Sequence, residues 1–344
     1  MINMKVFIFG AGASLASQGK DPHPDVSSRA PLVDQLFDPQ YGDSARNILS
    51  DEDFQEGRLG AQSAGSLEKW LTQRWEQIES RKQEITKTSE RAFFGRICFY
   101  IWNLLQKVSN TYNPSSNGYY LFTKKLKDQD EPFGLMSFNY DTLLDRAVKS
   151  RFGVPLISLD DYFRVPLIKP HGSVNWLSHR RDTDPSTYGR TLFDLPGLLS
   201  QASNQIFNGG PLNFGNVQVL CPDDPELSVV QYISSKFDSQ YFYPLILLPL
   251  TVKQYDFLAG FNDKIISKGK EILSTAGEIY LIGYRAADDV IRDMFKEVKS
   301  EAVLHVVSLD DSQEIMTRVL DWYPEKLKEG TIFSKGFWDF IQNY

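Results

Sequence analysis

Four short stretches of this 344-residue chain place side chains able to do chemistry where an apolar run breaks off. "FIFGAGAS" (7–14) sets Gly10, Ala11, Gly12 and Ser14 after the first run. A glycine turn there lets backbone N–H groups meet a phosphate, and Ser14 can cap the next helix or reach a ligand. An ordinary strand-to-helix turn uses the same residues, and Leu15 stands where a dinucleotide fingerprint has its third glycine. "SFNYDTLLD" (137–145) puts Asn139 and Asp141 on one side of an extended segment. Asp141 or Thr142 also suits the N-cap of a helix starting at "LLDRAV". "LIKPHGSVNW" (167–176) carries His171, whose neutral imidazole can accept a proton near pH 7 or simply satisfy a backbone group. "IYLIGYRAADDV" (279–290) brings Gly283 and Tyr284, with Asp288 as ligand contact or helix cap and Arg285 facing phosphate or solvent.

These residues need a scaffold that collects strand ends. Apolar runs at 5–9, 134–139, 165–171, 244–250, 278–284 and 302–310 are separated by loop or helical sequence. That alternation predicts an α/β fold, a Rossmann-like parallel sheet flanked by helices, with the ligand end at the carboxyl ends of the strands. Leu67, Trp70, Leu71, Trp75 and Ile78, then Phe94, Ile97, Cys98, Ile101, Leu104, Leu105 and Val108, recur at helical spacing. Residues 51–131 therefore read as a helical insertion after the first βα unit. Residues 172–243, rich in Gly, Asn, Ser and Pro, read as a loop-rich cover over a site. Residues 1–311 are expected to form the catalytic domain and 312–344 a C-terminal helical extension with an aromatic tail.

Composition excludes several classes. A net charge of −7 gives no general attraction for nucleic acid. Cys98 and Cys221 lie far apart, which excludes a zinc ribbon and argues against a disulfide framework. His23, His179 and His305 have no metal-ligand pattern around them, and His305 reads as a satisfied strand histidine. The longest apolar run, 243–250, is far too short to span a membrane, and the N-terminal residues lack signal-peptide features. A cytoplasmic location is expected.

Taken together, "GAGAS", "SFNYDTLLD", "KPHGSVNW" and "LIGYRAADDVI" resemble, in order and strand-end position, the sirtuin-like NAD-consuming fold. The resemblance is to its zinc-free bacterial branch. It implies NAD+ as substrate, Gly10, Ala11 and Gly12 at the diphosphate, and Gly283 and Tyr284 toward the adenosine half. Asn139 and Asp141 would stand at the nicotinamide ribose and carboxamide, with His171 catalytic. Arg285 departs from the serine common in that motif. Phe138 replaces the glutamine of protein deacylases and the zinc-binding cysteine quartet is missing, so the resemblance implies no zinc or other metal and argues against lysine deacylation. It further implies an NAD+ hydrolase in anti-phage defence that forms a homo-oligomer, with a motor ATPase or nucleic-acid-guided protein as possible regulating partner. The competing expectations are an NAD or ADP-ribose sensor without chemistry and a purely structural subunit.

Overall fold

The computed structural model describes residues 4–18, 25–46, 48–80, 84–111, 117–181, 217–223, 240–250, 261–299 and 301–344. Its strands are β1 (Met4–Phe9), β2 (Phe133–Ser137), β3 (Leu167–Ile168), β4 (Gly172–Arg181), β5 (Val217–Val219), β6 (Gln240–Ile246), β7 (Ala276–Ile282), β8 (Ala302–Val307) and β9 (Leu327–Phe333). Six of them form one parallel sheet in the order β3-β2-β1-β7-β8-β9. The other three form an antiparallel sheet, β5-β4-β6. β1 is central because Val6, Phe7, Ile8 and Phe9 are all buried, the continuous apolar run of a strand covered on both faces.

The flanking helices are α1 (Ala11–Ala16), α2 (Gly42–Ala45), α3 (Asp51–Ala64), α4 (Leu67–Glu79), α5 (Glu84–Asn110), α6 (Gly118–Gln129), α7 (Leu143–Phe152), α8 (Leu159–Arg164), α9 (Phe261–Leu273), α10 (Asp289–Met294), α11 (Ser312–Trp322) and α12 (Gly336–Asn343). Local chemistry sets several of their starts. Ser50 accepts from the Asp53 amide, Ser66 from Lys69 and Asn117 from Tyr119, so side-chain oxygens satisfy amides of the first turn. Leu67, Leu71, Trp75 and Ile78 form the buried stripe of α4, and Phe94, Ile97, Cys98, Ile101, Leu104, Leu105 and Val108 are buried along α5. The long polar stretch after α1 is thus a helical layer packed by its apolar faces.

Three expectations need correction. The run 244–250 does not enter the parallel sheet: β6 pairs antiparallel with β4. An apolar run fixes burial but not which sheet it joins. The region read as a cover at 172–243 opens with the ten-residue β4 and includes β5 and the start of β6; its residues 182–216 and 224–239 lie outside the described residues. The C-terminal segment 312–344 is not only helical, because β9 is a parallel edge strand on β8. Its "LKEGTIF" has polar residues at the solvated edge, so no apolar run announced it. The aromatic tail docks on the body: Phe337 and Phe340 are buried, and Phe337 meets Phe9 and Tyr119 at centroid distances of 5.9 and 5.3 Å.

One backbone contact governs how the sheet ends meet. The Gly12 amide donates to the Gly283 carbonyl at 3.0 Å, and the Gly10 amide to that of Ile282 at 3.0 Å. Gly283 has φ of 55°, and a Cβ there would lie 2.2 Å from the Ala13 nitrogen. Gly283→Ala therefore combines left-handed strain with a backbone clash, and should cost about 2–5 kcal/mol. Urea denaturation of the two proteins checks this; equal midpoints would contradict it.

Candidate functional site at the carboxyl ends of the strands

Relabelled by position in the chain, the parallel sheet runs 3-2-1-4-5-6, so its order reverses between β1 and β7. In open α/β sheets the crevice at such a reversal, outside the carboxyl ends of the strands, is where ligands bind. The glycine turn after β1 and the 283–288 loop after β7 face each other there. The asparagine, aspartate and histidine follow β2 and β3, the next strands on one side.

Asn139 is buried beside the glycine turn. The Phe138 amide donates to the Phe9 carbonyl at 2.9 Å, which carries the β1–β2 pairing one step further and sets Asn139 next to Gly10. Its Nδ2 donates to the Gly10 carbonyl at 2.8 Å and to Ser14 Oγ at 2.9 Å, with the Tyr119 hydroxyl at 3.4 Å. Both amide hydrogens are thereby used within the protein. What the side chain can offer a ligand is the acceptor Oδ1, suited to a hydroxyl or a water.

Asp141 turns inward. Its Oδ2 accepts from Ser14 Oγ at 2.8 Å and its Oδ1 from the Leu143 amide at 3.1 Å, so it satisfies the start of α7 although Thr142 is the N-cap residue. Burial raises its pKa, against the lowering influence of Lys169 and of these hydrogen bonds. Ser14 is a hub: Asn139 donates to it, it donates to Asp141, and it lies 3.1 Å from the Tyr119 hydroxyl of α6.

Below the histidine is a buried polar network. Lys169 and Asp145 are fully enclosed, and Lys169 Nζ donates to Asp145 Oδ2 at 3.0 Å and to the Asp141 carbonyl at 2.6 Å. Tyr162 donates to Asp145 Oδ1 at 2.6 Å and accepts from Asn175 Nδ2 at 2.9 Å, while Ser173 Oγ donates to Asn175 Oδ1 at 2.6 Å. Burial, then the Asp145 charge, pushes the Tyr162 hydroxyl well above its ordinary pKa, so it remains a donor. Removing one partner of such an ion pair typically costs about 3–5 kcal/mol, since the other is left charged in the interior.

His171 follows β3, and the Leu247 amide donates to its carbonyl at 2.9 Å. Gly172 has φ of 82°, and a Cβ there would lie 1.9 Å from the Leu245 carbonyl, so only glycine lets β4 lie against β6 directly after the histidine. His171 is 7% exposed. Its ring meets Phe138 edge-on at 4.9 Å, and Phe138 stacks on Tyr284 at 4.5 Å. Its Nε2 lies 2.5 Å from Asp288 Oδ2. The Tyr284 ring thus reaches the histidine through Phe138, while Asp288 touches the histidine itself.

The four sequence stretches thus meet in one place. Sequence reasoning passed over Tyr119, the Phe138 wall, and Lys169 with Asp145 and Tyr162. A lysine inside the apolar run "LIKPH" was the one signal available for that network, because a buried charge requires a partner. His305 is a satisfied strand histidine: Nδ1 accepts from the Thr331 amide at 3.0 Å, and burial lowers its pKa. Cys98 is buried, which pushes its thiol up to about 12 and removes it as a nucleophile at neutral pH. Among the described residues no group of three His, Cys, Asp or Glu side chains is placed to hold a metal ion, and no helix is long and apolar enough to cross a membrane. An open cavity of about 550 Å³ between Asp25–Ser27 and the α2–α3 region contains none of these site residues.

The Asp141 environment has a stability consequence. With its folded pKa above the ordinary 3.8, the native state holds this proton when the unfolded chain has released it. Wild-type stability from this group therefore rises as pH falls through the folded pKa, and the ionised form is a net cost above it. Asp141→Asn should melt at or above the wild-type temperature at pH 7, with the difference shrinking or reversing toward pH 4.5. Calorimetry over that range checks it; a variant less stable at pH 7 and recovering in acid would contradict it.

No family model and no curated protein matches the chain. Among solved structures, the fold is similar to a Sir2 homologue mutant in complex with ADP-ribose, at 12% identity and TM-score 0.41, covering 99% of this chain and 89% of that one. It is also similar to a Sir2 homologue–NAD complex, at 12% identity and TM-score 0.39, covering 99% and 88%. A structure on sirtuin substrate affinity matches at 12% identity and TM-score 0.37, covering 99% and 92%.

Proposed function

We propose that the protein hydrolyses NAD+ to nicotinamide and ADP-ribose. The observation that carries this reading is a buried asparagine bonded to the glycine turn and a buried histidine packed on the adjacent Phe138, beside the crevice where the sheet order reverses. The cationic nicotinamide leaves neutral, taking the electron pair of the broken C–N bond, and needs no general acid. What the site must supply is support for an oxocarbenium-like ribose and a directed water. His171 accepts the proton of the attacking water as its oxygen bonds to the ribose carbon. Asn139 Oδ1 orients that water or a ribose hydroxyl without adding charge. Ser14, Asp141 and Tyr119 hold the turn at the nicotinamide end, with Gly10, Ala11 and Gly12 toward the diphosphate. Phe138 packs edge-on against the histidine and Tyr284 stacks on Phe138, rings that limit stray water.

Unrestrained activity would deplete a cell of NAD+. The same reading therefore makes the protein a restrained effector, and the resemblance of its motifs to the zinc-free bacterial branch supports anti-phage defence in the cytoplasm as its setting. It is switched on by self-assembly or by a second protein such as a motor ATPase or a nucleic-acid-guided protein. With a net charge of −7 the chain has no general attraction for nucleic acid, so such a signal would arrive through the partner.

Nicotinamide release should be measured for wild type, His171→Ala and Asn139→Ala across protein concentration, with circular dichroism confirming folding. Each substitution is expected to reduce release by about 10²–10⁴-fold. Wild-type release by folded His171→Ala would overturn the assignment. Nucleotide binding without release under any condition would make the protein a sensor.

A further inference from the structure

We propose that Asp288 is the positioning residue of His171, fixing its tautomer so that Nδ1 is the proton-accepting nitrogen. This rests on the hydrolase reading above. The sequence offers Asp288 as a helix cap or a ligand contact; the structure gives it the cap and a second task. Its Oδ1 accepts from the Val290 amide at 2.9 Å as N-cap of α10, and its Oδ2 lies 2.5 Å from His171 Nε2. Both side chains are only 9% exposed, so the contact is not a solvated surface pair. An ionised carboxylate can only accept, so the proton in this bond is on Nε2 and the neutral ring has its lone pair at Nδ1. When the ring takes a second proton from water, the adjacent carboxylate stabilises the imidazolium, more strongly here than in bulk water.

The chain reaches this arrangement by a definite route. Gly283 and Ala286 have φ of 55° and 51°, and Ala286 is buried. They bend the segment after β7 so that Tyr284 lies on Phe138 beyond β2 and Asp288 meets His171 beyond β3. The carboxylate is thus held by a helix start at one oxygen and aimed at the histidine by the other. Other polar groups around the ring have different engagements. Tyr140, 6.2 Å away between centroids, donates its hydroxyl to the Leu247 carbonyl, and Glu68 of α4 acts electrostatically on Tyr140. Lys169 directs Nζ to Asp145 and the Asp141 carbonyl. Arg285 is largely exposed and lies 4.0 Å from Asp34.

Asp288→Asn tests this, because asparagine keeps the size and the N-cap acceptor while replacing the charged oxygen that faces Nε2 with a neutral NH2 donor. In an active enzyme, kcat should fall about tenfold or more while KM for NAD+ stays within about twofold. The acid limb of the kcat–pH profile should move to lower pH by about one unit or more, because a neighbouring carboxylate raises an imidazole pKa. Asp288→Glu should restore part of kcat. Nitrogen-15 imidazole spectra, assigned by loss of one signal in His171→Ala, give a readout independent of turnover: the wild-type ring should be protonated at Nε2 when neutral. An Nδ1-protonated ring, or wild-type kcat and pH profile in Asp288→Asn, would overturn the proposal. If neither wild type nor any variant releases nicotinamide at any protein concentration or with extract of phage-infected cells added, the hydrolase reading fails, and the tautomer spectrum still decides the Asp288 pairing.

Discussion

The closeness with which the turn after β1 meets the loop after β7 is the constraint on which the site depends. Gly10 and Gly12 are pressed against Gly283 and Tyr284, and a Cβ at Gly10 would stand 2.6 Å from the Gly283 carbonyl. The glycines are therefore required by the fold before any ligand is considered. Their packing has a chemical consequence, since it fixes the Gly10 carbonyl to which Asn139 donates and turns the segment that carries Asp288. The glycine turn and the geometry of the histidine are thus linked through one backbone contact.

Around that contact, charge is buried in pairs. Lys169 neutralises Asp145, Tyr162 and Asn175 complete the remaining hydrogen bonds, and Asp288 faces His171. Such networks contribute little net stability, but a half-satisfied one is costly, so they resist rearrangement. Here the network anchors Lys169 of the segment between β3 and β4, two residues before the histidine, and Ser173 and Asn175 just after it. The insertion and the tail take part too: Tyr119 of α6 reaches Ser14, and Phe337 of α12 packs on Tyr119. Segments with no chemistry of their own thereby become part of the floor of the site.

Much of this was legible in the chain. β1, β2, β7 and β8 were visible as short apolar runs ending in glycine or polar residues, and α4 and α5 by their period. The run at 244–250 reads like the parallel strands yet joins the antiparallel sheet, because pairing partners are set by connections that periodicity does not record. β9 was missed because an edge strand with Lys328, Glu329 and Gly330 carries no buried run. In the site, Asn139, Asp141 and His171 were readable as polar residues at strand ends, and a parallel sheet gathers such ends on one side. The pairing of His171 with Asp288 spans 117 residues and depends on two left-handed residues after β7, which no local pattern displays.

The most direct test of the account is a crystal structure of the His171→Ala protein soaked with NAD+. The account predicts the diphosphate against residues 10–14 and the nicotinamide ribose beside Asn139 Oδ1, facing the space left by the imidazole. A nucleotide bound elsewhere, or with its adenine in that position, would contradict it.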